Sequence, residues 1–133
     1  LRAIPTLAPD APSGDADAPA ARYTCVPWLN ERIVLARVDV SQLAADAVVC
    51  PNNERLTDRA GLAGELIRRA GPDLELELTQ LEECRTGDAK LARGYLLPAR
   101  HVIVTVGPRF NLKYRLAAEH ALVSCYDRVL TLA

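Results

Sequence analysis

The apolar positions of this 133-residue chain follow two rhythms, broken by polar punctuation. Ile33 to Val38 is a β-prone run that Asp39 closes. Ser41 can cap a short helical turn through Ala45. Asp46 to Cys50 follows, with Ala47, Val48 and Val49 apolar in succession, as in strands that parallel sheets bury on both faces. Pro51 stops it, and a polar loop carries Asn52, Asn53, Glu54 and Arg55 on to Gly61. The rhythm then turns helical. Leu62 to Ala70, closed by Gly71, predicts one helix. Pro72 suits the first position of a second, in which Leu74, Leu78 and Leu81 recur at spacings of four and three up to about Cys84. A turn at Thr86 to Asp88 leads to a short strand around Ala89 to Gly94, a Leu-Pro-Ala corner, and the apolar strand His101 to Val106 with a Gly-Pro stop. A last helix is expected over Tyr114 to Leu132, where Ala118, Leu122, Cys125, Val129 and Leu132 form a core-facing stripe.

Strands that alternate with helices predict an α/β sandwich with a mostly parallel sheet. In open sheets of this kind ligands bind beyond the carboxyl ends of the strands. Asp39 and the Asn53 loop stand at two such ends.

Composition narrows the classes. The length suits one domain with one core. A formal net charge of −1 gives no general pull toward nucleic acid or anionic lipid. No apolar run approaches the roughly 20 residues of a membrane helix, and the start lacks the basic-then-apolar layout of a secretory signal. Residues 1–22 are rich in Ala, Pro and Asp, too poor in large apolar side chains to offset their ordering entropy, and are expected to be a disordered leader. Residues 23–30 hold Trp28 and are expected to dock that leader on the domain, which occupies 31–133. A chain that begins at Leu1 and has no Met is expected to be a processed or trimmed piece. Cys25, Cys50, Cys84 and Cys125 form no Cys-x-x-Cys pair, so neither a metal nor a cofactor is expected. Scattered thiols suit a reducing compartment, the cytoplasm or the nucleus.

The residues themselves allow bland roles. Asn53 can bond its own loop backbone. Asp39 can serve as a charge near a helix start. Gly64 can be a helix-packing glycine, Lys90 and Arg100 surface charges, and His101 the cap of a strand edge. Longer motifs point further. Thr86-Gly87-Asp88-Ala89-Lys90, Gly94-Tyr95, Leu97-Pro98-Ala99-Arg100 and Val102 to Pro108 resemble the centre of a macrodomain, the α/β module that recognises ADP-ribose. Residues 47–56 are similar to that family's pattern Ile-Val-Asn-Ala-Ala-Asn-x-x-Leu, with Asn53 as the second Asn, Cys50 in place of the first, and Pro51 and Asn52 in place of the alanines.

The resemblance implies a three-layer α/β/α sandwich with a mixed, mostly parallel sheet. It implies that Asn53 faces the distal ribose, as an amide that can both donate and accept. It implies that Asp39 accepts from the adenine amino group beside the backbone N–H of Val40. The run Arg59 to Gly64 stands where the family carries Gly-Gly-Gly-Val-Asp-Gly, which makes Gly61, Leu62 and Gly64 the expected phosphate cradle at a helix start. Ala63 occupies the place of the Asp that helps activate water in hydrolytic members, and Glu65 points elsewhere on the helix. No catalytic residue is therefore expected, Asn53 being the candidate if the domain is enzymatic.

Asn53 to Asp58, Ala70 to Leu74, Cys84 to Leu91, Tyr114 to Glu119 and Ser124 to Tyr126 look like the ganglioside-induced differentiation-associated protein 2 group, in which a lipid-binding-like CRAL-TRIO domain follows. The resemblance stops after the last helix, so the domain is expected to be incomplete at its C-terminus, and this piece alone to bind ADP-ribose weakly or not at all. The expected function is a non-catalytic, monomeric module for ADP-ribose or ADP-ribosylated protein, without direct nucleic-acid or membrane contact from this segment. The alternatives are an ADP-ribosyl hydrolase or O-acetyl-ADP-ribose deacetylase, and a degenerate scaffold that binds no nucleotide.

Overall fold

The structure is a computed structural model that describes residues 32–34 and 36–133. The expected leader and the docking segment with Trp28 lie outside the described residues. The chain divides into two units, Leu1–Arg37 and Val38–Ala133. In the first, Ile33 and Val34 are exposed and in no strand. The strand expected over Ile33 to Val38 is thus not formed by the described residues of that range. β-branched side chains favour an extended backbone, but a strand needs a neighbouring ladder, and sequence pattern does not supply one.

The second unit runs β1 (Ala47–Pro51), α1 (Gly61–Ala70), α2 (Pro72–Gln80), β2 (Ala89–Arg93), β3 (His101–Thr105) and α3 (Arg115–Leu132), with 3-10 turns at Val40–Gln42 and Leu112–Tyr114. Strand β3 lies in the middle. β1 joins it in parallel, Ala47 opposite His101 and Pro51 opposite Thr105. β2 joins it antiparallel, Ala89 opposite Thr105 and Arg93 opposite His101. The sheet is therefore mixed, with one parallel and one antiparallel pairing among the described residues. Connection length decides this: α1, α2 and β2 intervene between β1 and β3, enough chain for a crossover, whereas β2 reaches β3 through a tight loop that can only reverse direction. Gly94 closes that loop. Its N–H donates to the Arg100 carbonyl at 2.8 Å, and a Cβ there would lie 1.9 Å from the Ala99 carbonyl oxygen.

Strand alternation gives the sheet two faces. Val48, Cys50, Ala92, Val102 and Val104 point into one core with Leu66, Ile67, Leu74 and Leu78 of α1 and α2. Val49 and Thr105 face the opposite way, toward Leu122 and Tyr126 of α3. Helices cover both faces, as the three-layer expectation has it. The expected stripe on the last helix is less buried than its spacing suggests. Of its five residues only Cys125 is buried, and Leu122 remains 48% exposed. Helical spacing sets which residues share a face, but the width of what lies beneath sets how many are covered.

Candidate functional site

The loop after β1 is built on Asn52. Its N–H donates to the Thr105 carbonyl at 2.9 Å, which extends the β1–β3 pairing by one step. Its Oδ1 accepts from the N–H groups of Asn53 at 2.8 Å and Asp58 at 3.0 Å, and so folds the loop around itself. Its Nδ2 is buried without a hydrogen-bond partner among the described residues, and burial pushes the Cys50 thiol at the end of β1 up to about 11. At that value the thiol stays protonated and is a poor nucleophile. The Asn53 carbonyl accepts from Leu56 N–H at 2.9 Å. Leu56 takes a left-handed φ of 56° with its side chain 1% exposed. Left-handed backbone costs a non-glycine residue about 1–2 kcal/mol. Burying a leucine side chain contributes about 1.5–3 kcal/mol. Burial wins, and Leu56 anchors the turn that presents Asn53.

The Asn53 side chain is partly spent on that turn. Oδ1 accepts from Thr57 N–H at 3.0 Å, and Nδ2 donates to Thr57 Oγ1 at 3.2 Å. Thr57 Oγ1 also donates to Oδ1, at 3.3 Å. An amide has two N–H donors and two acceptor lone pairs, so one N–H remains. Both the loop role and the capacity for a ligand are present in one side chain. Asn53 lines an open polar groove of about 610 Å³ together with Asn52, Glu54, Arg55, Thr86, Val106, Gly107 and Arg109. Thr86 belongs to the turn before β2, which is fastened to the end of β3 by Gly87 N–H to the Val106 carbonyl at 2.9 Å. Glu54 Oε1 accepts from Thr86 Oγ1 at 2.8 Å, tying that turn to the Asn53 loop.

The expected phosphate cradle lies at the start of α1. Ala60 precedes the helix without a side-chain cap, so the first backbone N–H groups, those of Gly61 and Leu62 among them, are the ones a helix leaves without internal partners. Gly61 has φ 50° and open space around it. Gly64 serves differently: its N–H donates to the Ala60 carbonyl at 3.1 Å, and a Cβ there would lie 2.0 Å from the Arg59 carbonyl oxygen. It is required for close packing. Ala63 is buried.

Asp39 sits in another place. Its Oδ1 accepts from Ser41 Oγ at 2.6 Å and Ser41 N–H at 3.1 Å, and its Oδ2 from Gln42 Nε2 at 2.8 Å. These bonds, Ser41's foremost, hold its carboxyl below the usual carboxylate range. Arg69 Nη2 lies 3.3 Å from Oδ2. Arg69 is in the last turn of α1, whereas Asn53 stands before the first. Ten residues of helix separate those ends, about 15 Å at the α-helical rise. The groove that Asn53 lines does not include Asp39. Glu65 also pairs with Arg69, at 2.5 Å, and its carboxyl is held low by Arg68 first and Arg69 second.

Sequence reasoning passed over Asn52, Arg55, Thr86 and Arg109. Asn52 read as an alanine replacement, and Thr86 only as part of a turn. Their convergence depends on β1 and β3 ending side by side while β2 begins there, which no local pattern shows. His101 opens the central strand rather than capping an edge, its Nδ1 3.2 Å from the Asp46 carbonyl oxygen. Lys90 is not a plain surface charge: its Nζ donates to the Leu81 carbonyl at the end of α2. Arg100 does pair at the surface, with Asp46. Among the described residues no cluster of three metal-ligating side chains occurs, and no helix is long and apolar enough to cross a membrane.

Comparison with known proteins places this geometry in context. The Macro domain family profile matches residues 49–133. The Protein GDAP2 homolog of Nematostella vectensis is 52% identical over 105 residues, 78% of this chain and 21% of that protein. The chain thus spans about a fifth of the length of the curated relatives it matches. The crystal structure of the ganglioside induced differentiation associated protein 2 macro domain superposes with a TM-score of 0.73 at 48% identity, over 75% of this chain and 50% of that one. The Oceanobacillus iheyensis macrodomain, solved with ADP, gives a TM-score of 0.66 at 30% identity, over 71% of this chain and 53% of that one. A mutant of it has been solved with ADPR, at a TM-score of 0.67, 30% identity and coverage of 71% and 54%.

Proposed function

This chain belongs to the Macro domain family, and from that membership we propose that it is an ADP-ribose-binding module whose groove beyond β1 and β3 takes the distal ribose and which performs no covalent chemistry. The observation that carries the reading is the state of Asn53. Thr57 fixes its side chain through Oδ1, yet one N–H of Nδ2 stays uncommitted in a residue that lines the groove, and a sugar hydroxyl can accept it. The uncapped start of α1 offers N–H groups and a positive dipole end to a diphosphate. At the adenine end, the Gln42 and Arg69 contacts of Asp39 lie at the surface. Exposed contacts of this kind contribute little, so an adenine amino group can take the place of Gln42 with the Val40 N–H alongside.

Hydrolysis needs a group that activates water. Ala63 has none to offer. Glu54 is committed to Thr86 at 2.8 Å, and Asp58 Oδ1 to the Ala60 N–H at 2.9 Å. The test is calorimetry of the full-length protein with ADP-ribose, and with Asn53→Ala. Loss of about tenfold or more in affinity is expected for a hydrogen-bonding group removed from a polar site. Release of ADP-ribose from a modified protein by the unaltered protein, abolished in Asn53→Ala, would establish the hydrolase instead.

A further inference from the structure

We propose that Glu77 closes the outer edge of β2 against a second copy of this chain, by occupying a backbone N–H that the copy's own β2 would bond. Among the described residues β2 is an edge strand, with β3 on one side only. Its inward hydrogen bonds fall at every second residue. Gly94 N–H donates to the Arg100 carbonyl at 2.8 Å, and the Asp88 carbonyl accepts from Val106 N–H at 3.3 Å. Strand alternation therefore turns the N–H and C=O groups of Ala89, Leu91 and Arg93 away from β3. Such a row is a template for another strand. Carboxylates hold its two ends: Asp88 Oδ1 accepts from Ala89 N–H at 2.9 Å, and Glu77 Oε2 accepts from Arg93 N–H at 2.9 Å. The first bond is local to one turn. The second reaches across from α2, and Glu77 is half-buried where it makes it. The Tyr95 hydroxyl lies beside the same carboxylate; burial first and Glu77 second hold it above its ordinary pKa. None of the residues lining the Asn53 groove belongs to β2.

The partner that fits this edge is β2 itself. In an antiparallel two-fold pairing centred on Leu91, Ala89 lies opposite Arg93 of the second copy and Lys90 opposite Ala92. Like charges, which destabilise directly opposed pairs, do not meet there. Leu91, 40% exposed, meets its own equivalent. Each end of that pairing needs the Arg93 N–H of one copy, so Glu77 removes both ends at once. What is left around Leu91 is too short an edge to pair.

The experiment uses the full-length protein and two readouts, sedimentation at rising concentration and hydrogen exchange over residues 89–95. When dilute, Glu77→Ala is expected to exchange about tenfold faster in that segment than the unaltered protein. At about 0.1–1 mM it is expected to regain protection there and to approach about twice the mass of the unaltered protein. Glu77→Gln keeps an acceptor oxygen and is expected to behave as the unaltered protein does. So is Glu83→Ala, which removes an exposed charge from the loop after α2. Glu77→Ala/Leu91→Lys sets two ammonium groups opposite each other, and is expected to lose the association while keeping the fast exchange. A Glu77→Ala protein that does not associate overturns the proposal. Association of Glu77→Gln or Glu83→Ala to the same degree, or association that persists in the double variant, overturns it as well. Fast exchange throughout the domain rather than in residues 89–95 also overturns it, because Glu77 would then support the fold and not the edge.

Discussion

Asn53 and Asp39 each stand where the chain turns, and each accepts a backbone N–H from its own turn: Asn53 from Thr57, Asp39 from Ser41. What remains afterwards differs. Asp39 spends both oxygens, on Ser41, Gln42 and Arg69, and those bonds hold a 3-10 turn against the last turn of α1. Asn53 keeps a free N–H donor, and the loop that holds it is fixed by other residues as well, Asn52 inside and Leu56 beneath. A polar side chain at a turn is thus free for recognition to the extent that its neighbours relieve it of structural duty. Asp39, which follows no strand among the described residues, is a brace first and reaches a ligand only by giving up an exposed contact.

Breaking the support of Asn53 should have the largest effect. Leu56→Ala removes a fully buried anchor, and large-to-small changes of this kind cost about 2–5 kcal/mol. Urea denaturation should show that loss, together with weakened ADP-ribose binding at temperatures where the variant is still folded. Relief of the left-handed backbone would return only part of it, so an unchanged midpoint would mean that the loop does not depend on this anchor. Asp39→Ala should lower the midpoint by less, because the carboxylate itself is exposed and, of its partners, only Ser41 is buried. It should also lower adenine-nucleotide affinity, by less than Asn53→Ala, since the adenine amino group must displace Gln42 to reach the carboxylate; an unchanged affinity would make Asp39 a brace alone.

The smallest expected effect is electrostatic. Asp39 has a folded-state pKa below its ordinary value, chiefly through Ser41. Its contribution to stability is therefore present above the unfolded pKa, about 4, and is lost as pH falls through the lower folded value. The difference in denaturation midpoint between the unaltered protein and Asp39→Asn should shrink below about pH 4. Asn53 does not titrate, so its share of ligand affinity should stay flat over the same range.

Much of the fold is legible along the chain. Strands β1 and β3 and the three helices fall within a few residues of where apolar runs, Gly71 and Pro72 put them. These features depend on neighbours in sequence. The strand expected at Ile33 to Val38 depends on a partner backbone, and the pattern could not say whether one was there. The burial of the α3 stripe depends on what the helix covers, and Leu122 at 48% exposure shows the limit of spacing alone. The site divides in the same way. Asn53 was visible because its strand and loop carry a family pattern. Thr86, Arg55 and Arg109 reach the same groove only through the β1-β3-β2 order of the sheet, a relation between distant segments. Asp39 was visible as a residue, but its commitment to Ser41 and Arg69 was not.

Calorimetric titration of ADP-ribose into the full-length protein, its Asn53→Ala variant and its Asp39→Ala variant tests the central claim most directly. The account predicts saturable binding that Asn53→Ala weakens by about tenfold or more, with the variant's unfolding midpoint close to that of the unaltered protein. Binding that is absent from the unaltered protein, or undiminished in Asn53→Ala, would contradict it.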